Sequence, residues 1–146
     1  NYYTIKLYKT QSSDKKTVID ALVLDNLVHS YVKHDDPLHL EYDYMKVYAD
    51  ILKWRFDRKI AFKTLSIGGG GYTFPRYMEA LYPHAKIDVV EIDPEVTQVA
   101  YEYLGLSTNT RIKSYNTDGR GYVMNCEKNM MSSSLMLLMT FQSPII

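Results

Sequence analysis

The chain has 146 residues, of which 46% are hydrophobic and 23% charged, values typical of a single globular domain. Its 17 basic and 17 acidic residues cancel, so charge gives no argument for nucleic acid or an anionic membrane as a partner. The lone Cys126 excludes a disulfide framework and a cysteine-based metal site, and the lack of a signal pattern or a bilayer-length apolar run predicts a cytoplasmic location without a membrane partner.

The first 32 residues predict an antiparallel β-meander. Residues 4–8 alternate between apolar and polar side chains, as a half-buried strand does, and residues 17–24 are rich in β-branched and aliphatic side chains. Asp25-Asn26 then predicts a tight turn into a third strand over residues 27–32. We therefore expect an N-terminal β-strand domain over residues 1–36.

A helix is predicted from about Leu40 to Arg58, after the break that Asp36-Pro37 makes in the pattern. Its apolar residues recur at steps of three and four, which places them on one face of the helix. We expect this face to pack against a core. It comprises Leu40, Tyr44, Val47, Tyr48, Ile51 and Leu52.

From residue 64 the pattern changes to alternating strands and helices. Strands are predicted over residues 64–67, 87–92 and 111–115, with helices that begin at the N-caps Thr73 and Asp93 and end near Tyr82 and Gly105. This order implies parallel strands joined by right-handed crossovers. The predicted fold class is α/β: a small antiparallel β-meander, then a partial Rossmann-like parallel sheet with flanking helices over residues 37–128.

Four consecutive glycines, at positions 68–71, join the first of these strands to the next helix. They leave the backbone bare, so that a ligand can approach the main chain closely. Glu91, which ends the second strand, is placed to accept hydrogen bonds from two ribose hydroxyls, and Asp118 follows the third strand, where an adenine amino group could be its donor. Because the carboxyl ends of parallel strands meet at one edge, the sequence predicts a nucleoside site there.

Two other interpretations of these residues stay open. A dinucleotide fingerprint requires a glycine at the sixth position of its motif, but that position is Thr73 counting from Gly68 and Phe74 counting from Gly69. This poor fit favours S-adenosylmethionine or its decarboxylated form as the ligand. The purely structural interpretation is a glycine turn with Asp93 as a helix cap and Glu91 merely solvated.

The histidines do not predict a metal site. His29, His34 and His39 are spaced five apart, which does not align them on one face of a helix. We interpret them as surface residues and expect no metal cofactor.

At these motifs the sequence resembles the spermidine synthase (polyamine aminopropyltransferase) family. The similarity lies in Leu65-Ser66-Ile67-Gly68-Gly69-Gly70 and in Val89-Val90-Glu91-Ile92-Asp93-Pro94-Glu95-Val96. It extends upstream to Leu22-Val23-Leu24-Asp25-Asn26-Leu27-Val28 and Glu41-Tyr42, and covers most of residues 2–125. The Gly71-Tyr72-Thr73-Phe74-Pro75-Arg76 stretch is similar to an uncharacterised bacterial branch, some members of which are fused to membrane transporter-like segments.

The resemblance implies a fold of the class I methyltransferase type and an aminopropyl transfer. A polyamine such as putrescine attacks decarboxylated S-adenosylmethionine, and methylthioadenosine leaves. S-adenosylmethionine-dependent methyl transfer and a non-catalytic nucleoside-binding fragment are the alternatives, and a homodimer is left open. The predicted nucleoside-binding residues are Gly68, Gly69, Gly70, Gly71, Tyr72, Glu91, Ile92, Asp93, Asp118 and Gly119.

The sequence departs from the family pattern at two places. Family enzymes carry an aspartate directly after the three glycines, where it helps to hold the amino end of the substrate, and here that position is Gly71. The family's catalytic aspartate follows the fourth strand and has no counterpart here. We therefore assign no catalytic residue, since the expected acid is lost in the tail.

Residues 129–146 have a composition unlike the chain before them, and we expect them to be an out-of-frame tail. Shifted by one frame, Met130-Met131 and Met139-Thr140 must each give aspartate, and the stretch can encode a buried strand followed by an acidic loop. The alternative is a genuine apolar fourth strand over residues 134–141. The first residue, Asn1, also predicts that the chain is a piece of a longer protein.

A tail of this kind has a physical consequence for the sheet. Without a proper fourth strand, residues 64–67 would form an unprotected apolar edge, unless the apolar Leu135-Met136-Leu137-Leu138-Met139 covers it. We expect weak or absent catalysis, and marginal stability or association through that edge.

Overall fold

Two sheets, one antiparallel and one parallel, build the fold. The structure is a computed structural model that describes residues 2–130 and 136–140. The three-stranded antiparallel sheet has the order β1-β2-β3, and the four-stranded parallel sheet has the order β6-β5-β4-β7. The elements are β1 (Ile5–Gln11), β2 (Val18–Leu24), β3 (Leu27–Val32), α1 (Asp43–Arg55), β4 (Lys63–Ile67), α2 (Thr73–Leu81), β5 (Lys86–Glu91), α3 (Pro94–Tyr103), β6 (Lys113–Asn116), α4 (Gly119–Met130) and β7 (Met136–Thr140).

The predicted meander is confirmed, with one irregularity in its last strand. Leu22 of β2 pairs with Ser30 of β3, but the adjacent Val23 pairs with Val28. His29 is therefore an extra residue in β3, that is, a β-bulge. The bulge bends β3 at the point where the meander approaches the parallel sheet.

The helix predicted over residues 40–58 is shorter, and its buried face is the predicted one only in part. α1 buries Leu52 as predicted, together with Met45 and Ala49, whereas the predicted core residues Val47 and Ile51 are 56% and 47% exposed. The helix carries apolar residues on two adjoining faces, and its own periodicity does not say which of them meets the sheet. Packing against the parallel sheet selects the face that contains Met45.

The predicted strand and helix alternation over residues 64–115 is confirmed, with ends that differ by one or two residues. Asp93 caps α3 as predicted, because its Oδ1 accepts a hydrogen bond from Glu95 N at 3.0 Å. The predicted N-cap Thr73 is wrong. Tyr72 occupies the cap position, and the Thr73 hydroxyl instead donates to Tyr31 O, which joins α2 to β3. Helix α4 has no counterpart among the predicted elements.

Two apolar clusters fix the meander and the helices to the parallel sheet. The larger cluster packs α1 and α2 against one face of the sheet, where Ile87, Val89 and Met139 are at most 5% exposed. The smaller cluster joins the meander to α3 through Leu22, Leu24, Val32, Val96 and Leu104. Burying each such side chain contributes about 1.5–3 kcal/mol, so the meander is held firmly beside the carboxyl ends of the strands.

The tail covers the edge strand, which is the second of the two outcomes that we expected for residues 64–67. β7 pairs with β4 in parallel, from Lys63 with Met136 to Ile67 with Thr140, and Met139 is buried. The edge is therefore not open, because the apolar tail supplies a fourth strand. The coding frame of the tail stays a prediction, and residues 131–135 and 141–146 lie outside the described residues.

Within the described ranges, none of the helices has the length and apolar character that crossing a membrane requires.

Candidate nucleoside-binding site

A crevice of about 500 Å³ lies at the carboxyl ends of β4, β5 and β6. This is the edge at which open α/β sheets bind their ligands. The meander and the start of α2 close its other sides. It is lined by Tyr3, Leu24, His29, Ser30, Met45, Ile67, Gly68, Gly69, Gly70, Thr73, Phe74, Pro75, Val90, Glu91, Ile92, Asp118, Gly119 and Arg120.

The glycine loop takes backbone conformations that most residues avoid. Gly68 and Gly70 have φ values of +88° and +50°, and the next residue after the glycines, Tyr72, also lies in the left-handed region with φ of +56°. A left-handed residue that is not glycine costs about 1–2 kcal/mol. The Tyr72 side chain offsets this cost because it is completely buried and its hydroxyl donates to Ser114 Oγ at 3.0 Å.

Glu91 holds the first half of the glycine loop. Its Oε2 accepts hydrogen bonds from Gly69 N at 2.8 Å and Gly70 N at 3.3 Å, and its Oε1 accepts one from Asp93 N at 3.0 Å. The residue is only 6% exposed, so Glu91 is not the solvated carboxylate of the structural interpretation. A carboxylate offers about four acceptor sites, so these three bonds leave capacity for a ligand hydroxyl.

Gly71 turns away from the crevice and toward the meander. Its N–H donates to Ser30 Oγ at 2.9 Å, and a Cβ at this position would lie 2.5 Å from Val32 Cγ2 and 2.9 Å from Ser30 Cβ. Real Cβ atoms do not approach other atoms this closely. The space that an aspartate would need at position 71 is therefore filled by β3.

Two further predicted site residues lie behind the loop and outside the crevice. Tyr72 is buried beneath it, and burial raises the pKa of its hydroxyl. Asp93 is also fully buried, and besides capping α3 its carboxylate accepts a hydrogen bond from Tyr2 N. Both residues support the loop and the second strand without reaching the crevice.

The second carboxylate of the crevice follows the third strand, β6. Asp118 is exposed, lines the crevice and caps α4, since its Oδ2 accepts from Gly121 N at 2.7 Å. Gly119 beside it allows close packing, because a Cβ there would lie 2.8 Å from Ile67 Cγ2. Asn116 Nδ2 donates to Glu91 O at 3.2 Å and so fixes the two strand ends relative to each other. Ile92, directly after β5, also lines the crevice.

Sequence reasoning missed the wall that the meander contributes. Four residues of the meander or the segment before it line the crevice, and all precede the first glycine by 38 residues or more: Tyr3, Leu24, His29 and Ser30. His29, expected at the surface, is half-buried there. Burial lowers the pKa of its imidazole, while the negative charges of Glu91 and Asp25 oppose that shift.

Among residues 2–130 and 136–140, no group of three or more histidine, cysteine, aspartate or glutamate side chains is arranged to hold a metal ion.

Two curated proteins are similar to this chain over part of its length. The polyamine aminopropyltransferase of Vibrio vulnificus (strain CMCP6) is 36% identical over 86 residues, which are 58% of this chain and 28% of that protein. The mouse eEF1A lysine and N-terminal methyltransferase is 37% identical over 59 residues, which are 40% of this chain and 8% of that protein. The chain thus spans less than a third of the curated relatives that it matches. It matches no protein-family model.

Solved structures of the same two kinds of enzyme are similar to this chain. A probable spermidine synthase from Corynebacterium glutamicum ATCC 13032 matches with a TM-score of 0.70 and 24% identity, over 84% of this chain and 44% of that one. Human methyltransferase-like protein 13, in complex with SAH, matches with a TM-score of 0.59 and 23% identity, over 72% and 50%. A spermidine synthase in complex with the transition-state analogue AdoDATO matches with a TM-score of 0.54 and 20% identity, over 94% and 52%.

The predicted resemblance to the spermidine synthase family is confirmed over part of the chain. The predicted methyltransferase-like α/β fold is confirmed, because both kinds of solved structure share it. The two curated relatives are an aminopropyltransferase and a methyltransferase.

Proposed function

We propose that the crevice binds an S-adenosyl nucleoside, as a spermidine synthase-like site does. The observation that carries this proposal is the position of Glu91, a buried carboxylate that ends β5 and holds the bare glycine loop. Its remaining acceptor capacity suits one hydroxyl of a ribose. Asp118 lies farther along the same edge, and its carboxylate suits the amino group of an adenine.

The first candidate reaction is aminopropyl transfer from decarboxylated S-adenosylmethionine to a polyamine such as putrescine. The neutral amine nitrogen forms a bond to the aminopropyl carbon, the carbon–sulfur bond breaks, and methylthioadenosine leaves as a neutral thioether. The new ammonium must then lose a proton to a nearby base. Support for this candidate comes from the similarity to the Vibrio polyamine aminopropyltransferase.

A carboxylate free to accept this proton is missing from the described crevice, and we infer that transfer by this chain is weak or absent. Among the described lining residues the carboxylates are Glu91 and Asp118, and both already accept hydrogen bonds from backbone amides. Position 71 has no space for an acid, and residues 129–146 contain no aspartate or glutamate.

Methyl transfer from S-adenosylmethionine is the second candidate, and the packing of Gly71 against Val32 favours it. A side chain that would hold a free aminopropyl end cannot be accommodated there, whereas methyl transfer does not need one. The similarity to the mouse methyltransferase is consistent with this reaction. A nucleoside-binding fragment without catalysis is the third candidate.

Calorimetry with three ligands separates these candidates. We expect methylthioadenosine to bind, since it carries the adenine and ribose that Glu91 and Asp118 would contact. Tighter binding of decarboxylated S-adenosylmethionine than of S-adenosylmethionine would favour aminopropyl transfer, and the reverse order would favour methyl transfer. Failure of all three ligands to bind would refute the proposed function. Product analysis with putrescine then tests for residual turnover, with the frame-restored chain as the comparison.

A further inference from the structure

The bulge in β3 turns two consecutive side chains toward the glycine loop. In a regular strand, neighbouring side chains point to opposite faces of the sheet. The extra residue His29 changes this alternation, and both His29 and Ser30 line the crevice. Bulges commonly re-aim side chains next to binding sites. The bulge therefore brings a polar group of the meander to the loop.

Ser30 holds the second half of the glycine loop, opposite Glu91. Its Oγ accepts a hydrogen bond from Gly71 N at 2.9 Å, and the same oxygen lies 2.7 Å from the position of a Cβ on Gly70. Ser30 is 5% exposed, so this contact is shielded from water. Three successive loop amides, those of Gly69, Gly70 and Gly71, are thus held by two side chains from opposite walls.

We propose that Ser30 is a positioning residue for the nucleoside site, an inference that rests on the proposed function. Four successive glycines are the most mobile backbone that a chain can have, and ordering them costs conformational entropy. The hydrogen bonds to Glu91 and Ser30 offset this entropy cost during folding, before a ligand binds. Without the Ser30 hydroxyl, the loop loses one of its two anchors, and the ligand must order the loop when it binds.

The matched test compares Ser30→Ala with Ser114→Ala. Each substitution removes one serine hydroxyl that accepts a hydrogen bond, from Gly71 N in the first case and from the Tyr72 hydroxyl in the second. Ser114 is absent from the crevice lining, so its loss reports the effect of a merely structural hydroxyl. Two readouts apply to both variants: amide hydrogen exchange of peptides that span the glycine loop, and calorimetric affinity for methylthioadenosine.

We expect Ser30→Ala to speed exchange of the loop amides about tenfold and to weaken methylthioadenosine binding by a similar factor. Ser114→Ala acts on the loop only indirectly, through the Tyr72 hydroxyl, so it should lower the melting temperature and change both loop readouts much less than Ser30→Ala does. If Ser30→Ala does not fold, Ser30→Cys decides, because its sulfur is a weaker acceptor of similar size and should give intermediate values.

The outcomes separate this inference from the proposed function. Wild-type binding of methylthioadenosine with unchanged affinity in Ser30→Ala overturns the positioning role and leaves the proposed function intact. Equal losses in Ser30→Ala and Ser114→Ala also overturn it, since they indicate general destabilisation. If the wild-type chain binds no nucleoside, the proposed function fails, and unchanged loop exchange in Ser30→Ala would then also refute the anchoring role.

Discussion

The crevice has one side at the ends of β5 and β6 and another at the ends of β4 and β7. All four strands are parallel, but the two sides differ in the carboxylates that they carry. On the β5–β6 side, Glu91 and Asp118 are both fixed by backbone hydrogen bonds, and Asn116 ties the strand ends together. On the β4–β7 side, Gly71 is packed against the meander. The sequence from residue 129 onward contains no aspartate or glutamate. Under the proposed function, binding and proton transfer would depend on different strands, so we expect nucleoside binding to persist where transfer is lost.

Restoring an acid at position 71 should have the largest effect, because the β4–β7 side has no space for it. Gly71→Asp places a Cβ 2.5 Å from Val32 Cγ2 and buries a carboxylate beside the loop. Overpacking and burial of a charge together should lower the free energy of unfolding by about 3 kcal/mol or more, measured by urea denaturation. Gly71→Ala adds the Cβ without the charge, so it measures how much of the lost free energy of unfolding is steric. A Gly71→Asp protein as stable as the wild type would show that the meander can move away.

Removing the charge on the β5–β6 side should act mainly on binding. Glu91→Gln keeps the shape of the side chain but weakens its hydrogen bonds to Gly69 N and Gly70 N and to any ribose. Hydrogen bonds to charged groups contribute about 1.5–3 kcal/mol, so methylthioadenosine affinity should fall at least tenfold in calorimetry. Glu102→Gln, an exposed glutamate on α3, is the matched control and should bind normally. Unchanged affinity in Glu91→Gln would place the ligand elsewhere.

The sequence predicts the site correctly within the parallel sheet but not where the meander contacts that sheet. The glycines and Glu91 lie on the β-α-β unit, whose short crossovers make the neighbours in space predictable from the order along the chain. Ser30 and His29 could not be found in this way, because a one-residue bulge and the docking of a separate sheet bring them to the loop. The buried face of α1 was mispredicted in part for the same reason, since contacts with the sheet decide it.

His29 lies on the wall of the crevice that the meander contributes, and its burial predicts a dependence of stability on pH. The pKa of its imidazole in the folded chain lies below the usual 6.5, mainly because of burial. The folded state therefore binds fewer protons than the unfolded state, so stability should fall as the pH drops below about 6.5 and level off below the folded pKa.

Urea denaturation of the wild type and His29→Gln between pH 5 and 8 measures this dependence. The wild type should lose more stability than the variant as the pH falls, because the variant lacks the titrating group. Parallel stability curves for the two proteins would show that other groups cause any slope.

The smallest effect on binding and stability is expected at Asp118, because its carboxylate is exposed, whereas that of Glu91 is buried. Asp118→Asn keeps an oxygen that can accept from Gly121 N, so the cap of α4 should survive and stability should change by less than about 0.5 kcal/mol. Water competes for an exposed hydrogen bond, and methylthioadenosine affinity should therefore fall only a few-fold. Asp118→Ala removes the cap as well and should cost about 1 kcal/mol of stability. If Asp118→Asn weakened binding as much as Glu91→Gln does, the exposed end of the crevice would contribute as much to recognition as its buried end.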